Sequence, residues 1–192
     1  MVEIRIHGRG GQGVVTASDL VAMAAFKEGH HAQAFPSFGS ERTGAPVVSY
    51  CRVEDEVIRS REPVLEPDII IVQDPTLLAV MDVFAGLKPG GYVLINSSKS
   101  LKELELDGVV EKAGEGRAVT VPASEIAREK LGRPLPNAAL LGAMAAMTGL
   151  VDITSVEEAI KTRFHGRVGD SNAAAARAAY DFVKESADAE TD

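Results

Sequence analysis

The sequence predicts an α/β fold: a three-layer α/β/α domain with a mixed, mostly parallel sheet and a helical C-terminal third. Three observations carry this expectation. Apolar strand patterns alternate with helical ones as far as Val121. A glycine-rich turn joins the first strand to the first helix. From Ser124 onward, one helical pattern follows another.

Residues 2–7 form the first strand, apolar at Val2, Ile4 and Ile6. Then comes Gly8-Arg9-Gly10-Gly11-Gln12-Gly13, which fits G-x-G-x-x-G with an extra glycine at Gly11. Glycines serve such a turn by allowing positive φ, close backbone approach to a bound group, and tight helix–strand packing. The helix over residues 14–26 aims its first N–H groups and its positive dipole end at the turn. A phosphate or carboxylate is stabilised there, and Arg9 adds a cation. The bland alternative is a tight strand–helix connection that binds nothing. A dinucleotide site is disfavoured, because an acid is expected ~20 residues on, at the end of the second strand. That strand, residues 30–34, is followed by Phe35-Pro36-Ser37-Phe38-Gly39-Ser40.

Gly29 stops the first helix. His30 and His31 point to opposite faces of a strand, so they do not chelate one ion. The next stretch, residues 35–46, holds two phenylalanines, two prolines and two glycines. It reads as a packed crossover, or as a surface that meets a ligand or another chain through Ser37, Phe38, Gly39 and the fork-shaped Arg42. Residues 45–53 read as a strand that turns at Glu54-Asp55-Glu56 into residues 57–59, a β-hairpin. Arg59 and Arg61 read as solvated charge.

Residues 68–73 are a continuous apolar strand of the kind covered on both faces. Asp74 caps and Pro75 begins a helix with the stripe Leu77, Leu78, Met81 and Phe84. Residues 92–95 are another buried strand, residues 97–117 are polar and aperiodic, and residues 118–121 are a short strand. A short helix spans 124–131. Asn137 N-caps the next helix, with Ala138, Gly142 and Ala146 on one face and Leu140, Met144 and Met147 on another. Thr154 or Ser155 opens the following helix as a capping box. Asp170-Ser171 caps the last one, whose stripe is Ala176, Ala179, Tyr180 and Val183. The domain is expected to span residues 1–185, with a disordered acidic tail over 186–192.

Composition bounds the function. The chain has 192 residues, 45% hydrophobic, with a formal net charge of −8. That charge gives a nucleic-acid groove no support. No apolar run spans a bilayer and no signal peptide is visible, so a cytoplasmic location is expected. Cys51 is the single cysteine. It reads as a small buried apolar residue and cannot by itself hold an iron–sulfur cluster.

Together the motifs carry a resemblance. Ile6-His7-Gly8-Arg9-Gly10-Gly11-Gln12-Gly13-Val14-Val15, then Phe38-Gly39-Ser40-Glu41-Arg42-Thr43-Gly44-Ala45-Pro46-Val47, then Asn137-Ala138-Ala139-Leu140-Leu141-Gly142-Ala143 resemble the gamma subunit of 2-oxoacid:ferredoxin oxidoreductases. The segment from Val156 through Asn172 to Tyr180 resembles the same family. Thr43 departs from it, standing where many members carry a second basic residue. The resemblance implies a cytoplasmic hetero-oligomer of anaerobic metabolism with alpha, beta and delta-type subunits. Such an enzyme oxidises pyruvate or a related 2-oxoacid to an acyl-coenzyme A and reduces ferredoxin. Thiamine diphosphate, magnesium and iron–sulfur clusters are then expected in partner subunits. This chain is expected to bind no metal, supply no catalytic residue, and contribute an interface and part of a coenzyme A or substrate cavity. The alternative from a different class is a free-standing nucleotide-binding module using residues 8–13.

Overall fold

Alternation along the first strand decides what lies on each side of the sheet. In β1 (Val2–Arg9), Ile4 and Ile6 enter one core while Arg5 and His7 point the other way. The computed structural model describes residues 1–37 and 43–189. β1 runs into α1 (Val14–Lys27), β2 (His31–Pro36), β3 (Pro46–Glu54), β4 (Ile69–Val72) and β5 (Tyr92–Asn96). Next come α2 (Asp107–Ala113), β6 (Ala118–Val121), α3 (Ala123–Leu131), α4 (Asn137–Thr148), α5 (Ile153–Arg163) and α6 (Gly166–Ala189).

The strand order is β2-β3-β1-β4-β5-β6. β1, β4, β5 and β6 pair in parallel, and β3 pairs antiparallel with both β1 and β2. The mixed, mostly parallel sheet and the helical C-terminal part are therefore as expected. Every residue of β4 is buried, as a strand covered on both faces requires. One face packs Ile4, Ile6, Cys51, Ile71 and Leu94 against α1, α3, α4, α5 and α6. The other carries a thinner layer in which Ile70, Val72, Val93 and Ile95 meet Leu77, Val83, Leu87 and Ala113.

Several local expectations are corrected. The predicted hairpin does not form, because β2 and β1 occupy both edges of β3 and leave none for residues 57–59. The helix predicted after Asp74 is a 3₁₀ turn, Pro75–Ala79. Beyond it the chain bends so that Val83 and Leu87 also reach the core, while Val80 is exposed; one straight helix cannot present that set. Residues 97–117 contain α2, whose seven residues bury only Ala113 and so leave no periodic stripe.

Helix starts also differ. Pro136 takes the N-cap of α4 and Asn137 is its first residue. Burial of Ile153 pulls the start of α5 upstream to Asp152, which places Thr154 and Ser155 inside the first turn. Asp170 and Ser171 lie within α6, which already begins at Gly166. The helix continues to Ala189, so residues 186–189 are helical rather than a disordered tail. Gly142 permits a close approach of α4 to α6: a Cβ there would collide with the Ala176 carbonyl oxygen.

Candidate functional site

β1 is flanked by β3 and β4, and the chain leaves it for the β2 side of the sheet. The carboxyl ends of β1 and β4 therefore meet at a topological switch point, the usual place for a ligand crevice in an α/β sheet. The glycine turn sits there. Gly8 lies under the start of α1, where a Cβ would come within 2.5 Å of the Val14 side chain. Gly13 enters α1 at φ 71, a conformation that favours glycine, and a Cβ there would sit 2.6 Å from Asn137 Nδ2. The N-termini of α1 and α4 are thus side by side.

Side chains pin this turn from within. Gln12 Oε1 accepts from the Arg9 N–H at 2.8 Å, and Gln12 Nε2 donates to Asp74 Oδ2 at 2.8 Å. Arg9 Nη1 donates to the Gly44 carbonyl at 3.0 Å and Nη2 to Thr76 Oγ1 at 2.9 Å, while Nε stands 3.3 Å from Asp74 Oδ2. Asp74 Oδ1 accepts from the Thr76 N–H at 3.0 Å, the cap expected from the sequence. Burial pushes the Asp74 carboxyl up, but hydrogen bonds from Thr76 and Gln12 and the Arg9 charge outweigh it and hold it below its ordinary value. Gly10 is committed too: its N–H donates to the Ala45 carbonyl at 2.9 Å and its carbonyl accepts from Gly44 at 3.1 Å.

One part of the turn stays open. Among the described residues, the N–H groups of Val14, Val15 and Thr16 have no acceptor. They border a cavity of about 140 Å³ that Arg9, Gly10, Gly11, Gly13 and Val47 complete. Across Thr76 lies a second crevice of about 440 Å³, edged by Asn96, Ser97, Lys99 and Ser124. Asn96 closes its floor: Nδ2 donates to the Gln73 carbonyl and to Ser124 Oγ, both at 2.8 Å, and Oδ1 accepts from the Ser124 N–H. Gln73 is 1% exposed, and its amide has no partner among the described residues.

The predicted site residues separate accordingly. Gly8, Arg9, Gly10, Gly11, Gln12 and Gly13 form one turn, although Arg9 and Gln12 are structural latches more than free ligand groups. Ser37 extends the β2–β3 pairing by donating its N–H to the Val48 carbonyl at 2.8 Å. Phe38, Gly39 and Arg42 lie outside the described residues. Thr43 bridges to Gly10, beside the turn. Sequence reasoning missed Thr76, Asn96, Ser124 and the inward-turned Asn137. The one available signal was a polar residue, Asn96, closing an otherwise apolar strand.

Other candidates resolve simply. His30 Nδ1 lies 2.8 Å from Asp55 Oδ1, and His31 is exposed. Cys51 is fully buried, and burial pushes its thiol up to about 12. Among the described residues no cluster of His, Cys, Asp or Glu is placed to hold a metal ion. None of their helices is long and apolar enough to cross a membrane.

The profile of the pyruvate ferredoxin/flavodoxin oxidoreductase family matches residues 3–182. The chain belongs to this family. The common gamma subunit of pyruvate/ketoisovalerate oxidoreductases from Thermococcus kodakarensis is 52% identical over 94% of this chain and 96% of its own length. Pyruvate synthase subunit PorC of Methanothermobacter marburgensis is 49% identical over 97% of this chain and 99% of its own. The crystal structure of pyruvate oxidoreductase subunit PORC from Thermotoga maritima superposes with a TM-score of 0.78 at 36% identity, covering 94% of this chain and 95% of that one. The gamma-subunit expectation drawn from the motifs therefore holds, and this gamma-type chain is one component of an oxidoreductase complex.

Proposed function

We propose that this gamma-type chain serves a 2-oxoacid:ferredoxin oxidoreductase by lining the coenzyme A or substrate cavity with the turn of residues 8–13 and by docking on the other subunits. One observation carries the reading. The N–H groups of Val14, Val15 and Thr16, without an acceptor among the described residues, border a cavity of about 140 Å³ at the positive end of a 14-residue helix. A phosphate or carboxylate accepts hydrogen bonds from those N–H groups without any cationic side chain. The crevice across Thr76, with Ser97, Lys99 and Ser124 at its edge, continues the polar surface along the carboxyl ends of β4 and β5. The family motif, by sequence alone, assigns Ser37, Phe38, Gly39 and Arg42 to the same proposed wall.

The rest of the chemistry falls to alpha, beta and delta-type partners, with ferredoxin as acceptor. The lone thiol is buried and protonated, which does not fit a cluster ligand, and the described acids and histidines form no metal set. Thiamine diphosphate, magnesium and iron–sulfur clusters are accordingly assigned to other subunits. The cytoplasm suits such a complex.

The test uses Thr16→Asp in the complex purified anaerobically through a tag on this chain. A carboxylate in the first turn suits the helix dipole, worth about 0.5 kcal/mol, while it repels an incoming anion. The KM for coenzyme A in 2-oxoacid oxidation with an artificial acceptor should rise roughly tenfold, about 1.4 kcal/mol of lost binding. An unchanged KM in an assembled, active complex would sink the assignment.

A further inference from the structure

We propose that the free edge of β6 receives an extended segment of another subunit of the complex, a strand with apolar residues toward the groove and carboxylates at its rim. This inference rests on family membership and is independent of the coenzyme A reading.

β6 ends the sheet. The Val93 N–H donates to the Arg117 carbonyl and the Ser97 N–H to the Val121 carbonyl. In a parallel ladder this turns the main-chain groups of residues 117, 119 and 121 toward β5. The N–H and C=O groups of Ala118 and Thr120 consequently point outward. A strand edge of this kind is a ready template for another chain unless something covers it. No described strand pairs with it, and the edge borders a groove of about 480 Å³. Ala118 is only 8% exposed and Thr120 is half-buried, with Ser100, Leu101 and Lys102 lining the same groove.

The groove fits an extended occupant. Its apolar lining includes Val119 of β6, Met147 of α4, and Phe182 and Val183 of α6. Phe182 stays 38% exposed beside it. A strand laid along β6 would find backbone partners on one side and apolar pockets for alternate side chains on the other, the recognition mode of strand addition. Charge specifies the partner. The groove's charged lining among the described residues is Lys102 and Lys184, both exposed, on a chain of net charge −8. The occupant that complements it carries Asp or Glu where it passes those two ammonium groups.

Residue-resolved hydrogen exchange on the intact complex tests this, with an internal control in the strand itself. If a segment pairs with the edge, the outward amides of Ala118 and Thr120 exchange as slowly as the inward amides of Val119 and Val121. The double variant Lys102→Glu/Lys184→Glu, both on exposed side chains, should strip that protection from Ala118 and Thr120 alone. Thr120→Pro removes an N–H the ladder to β5 does not use, so it should leave the sheet folded but lose the same protection at Ala118. A photo-reactive phenylalanine analogue in place of Phe182 should capture an acidic segment of another subunit, and lose it when combined with Lys102→Glu/Lys184→Glu. Rapid exchange at Ala118 and Thr120 in the wild-type complex overturns the proposal. So does protection that survives charge reversal, or capture of a second copy of this chain.

Discussion

Arg5 Nε donates to His7 Nε2 across 3.1 Å, two residues along the same face of β1. Arg5 also donates to the carbonyls of Val64, Val83 and Ala85, so one guanidinium ties the loops of the thin layer to the central strand. The bond requires His7 to keep Nε2 free of a proton.

Burial first, and then the Arg5 charge, lower the His7 ring from 6.5 to about 4. The unfolded chain therefore binds more protons than the folded one between those values. The stabilisation is complete above about pH 6.5 and is lost as the pH falls toward 4, amounting to roughly 3 kcal/mol. Urea titrations of the chain from pH 7 to pH 4 should show this loss, and His7→Asn should flatten it. An identical slope in His7→Asn would assign the acid sensitivity to other groups.

The α4–α6 contact makes a paired glycine test. In Gly142→Ala the new methyl collides with backbone, the Ala176 carbonyl, which cannot rotate away. Overpacking of this kind costs about 3 kcal/mol, at the upper end for small-to-large changes. Gly108→Ala, in α2 with nothing within 4 Å of the new Cβ, should instead gain about 0.5 kcal/mol. Thermal melts of the two variants should move in opposite directions. Destabilisation by both would mean that general helix effects, not the close approach, set the cost.

Cys51 should be inert until the chain opens. It is fully buried and its thiol titrates at about 12, so almost no thiolate exists at neutral pH. A chromogenic disulfide reagent at pH 8 should leave the native chain unmodified and titrate one thiol in denaturant. Fast modification of the native chain would show that the helices over β3 open far more readily than their packing implies.

What was legible in the sequence was whatever a local pattern dictates. The all-apolar run at Ile69–Val72 announced a strand covered on both faces, and Gly8–Gly13 announced a strand–turn–helix. The family motifs added the identity. What was not legible depended on distant partners. Residues 57–59 looked able to pair, but β1 claims that edge of β3. Residues 74–84 carried a helical stripe, but the core takes Leu77, Val83 and Leu87, which no single helix delivers. Arg9 looked like a free cation, and only the fold shows that Asp74, Thr76 and Gly44 already hold it.

That latch supports a last prediction. Asp74 is the node through which β4 holds the glycine turn, accepting from Gln12 and Thr76 beside Arg9. Asp74→Ala leaves those donors without their acceptor and should cost about 2 kcal/mol. Its depressed carboxyl sets the sign with pH. The stabilisation is present above the ordinary carboxylate range and is lost as the pH falls through the lower folded value. In the complex, the freed turn should raise the KM for coenzyme A while amide exchange quickens over residues 9–16. Asp74→Asn retains one acceptor oxygen and should fall between the variant and the wild type in both readouts. Stability that drops without any change in exchange at the turn would place Asp74's role in the Thr76 cap alone.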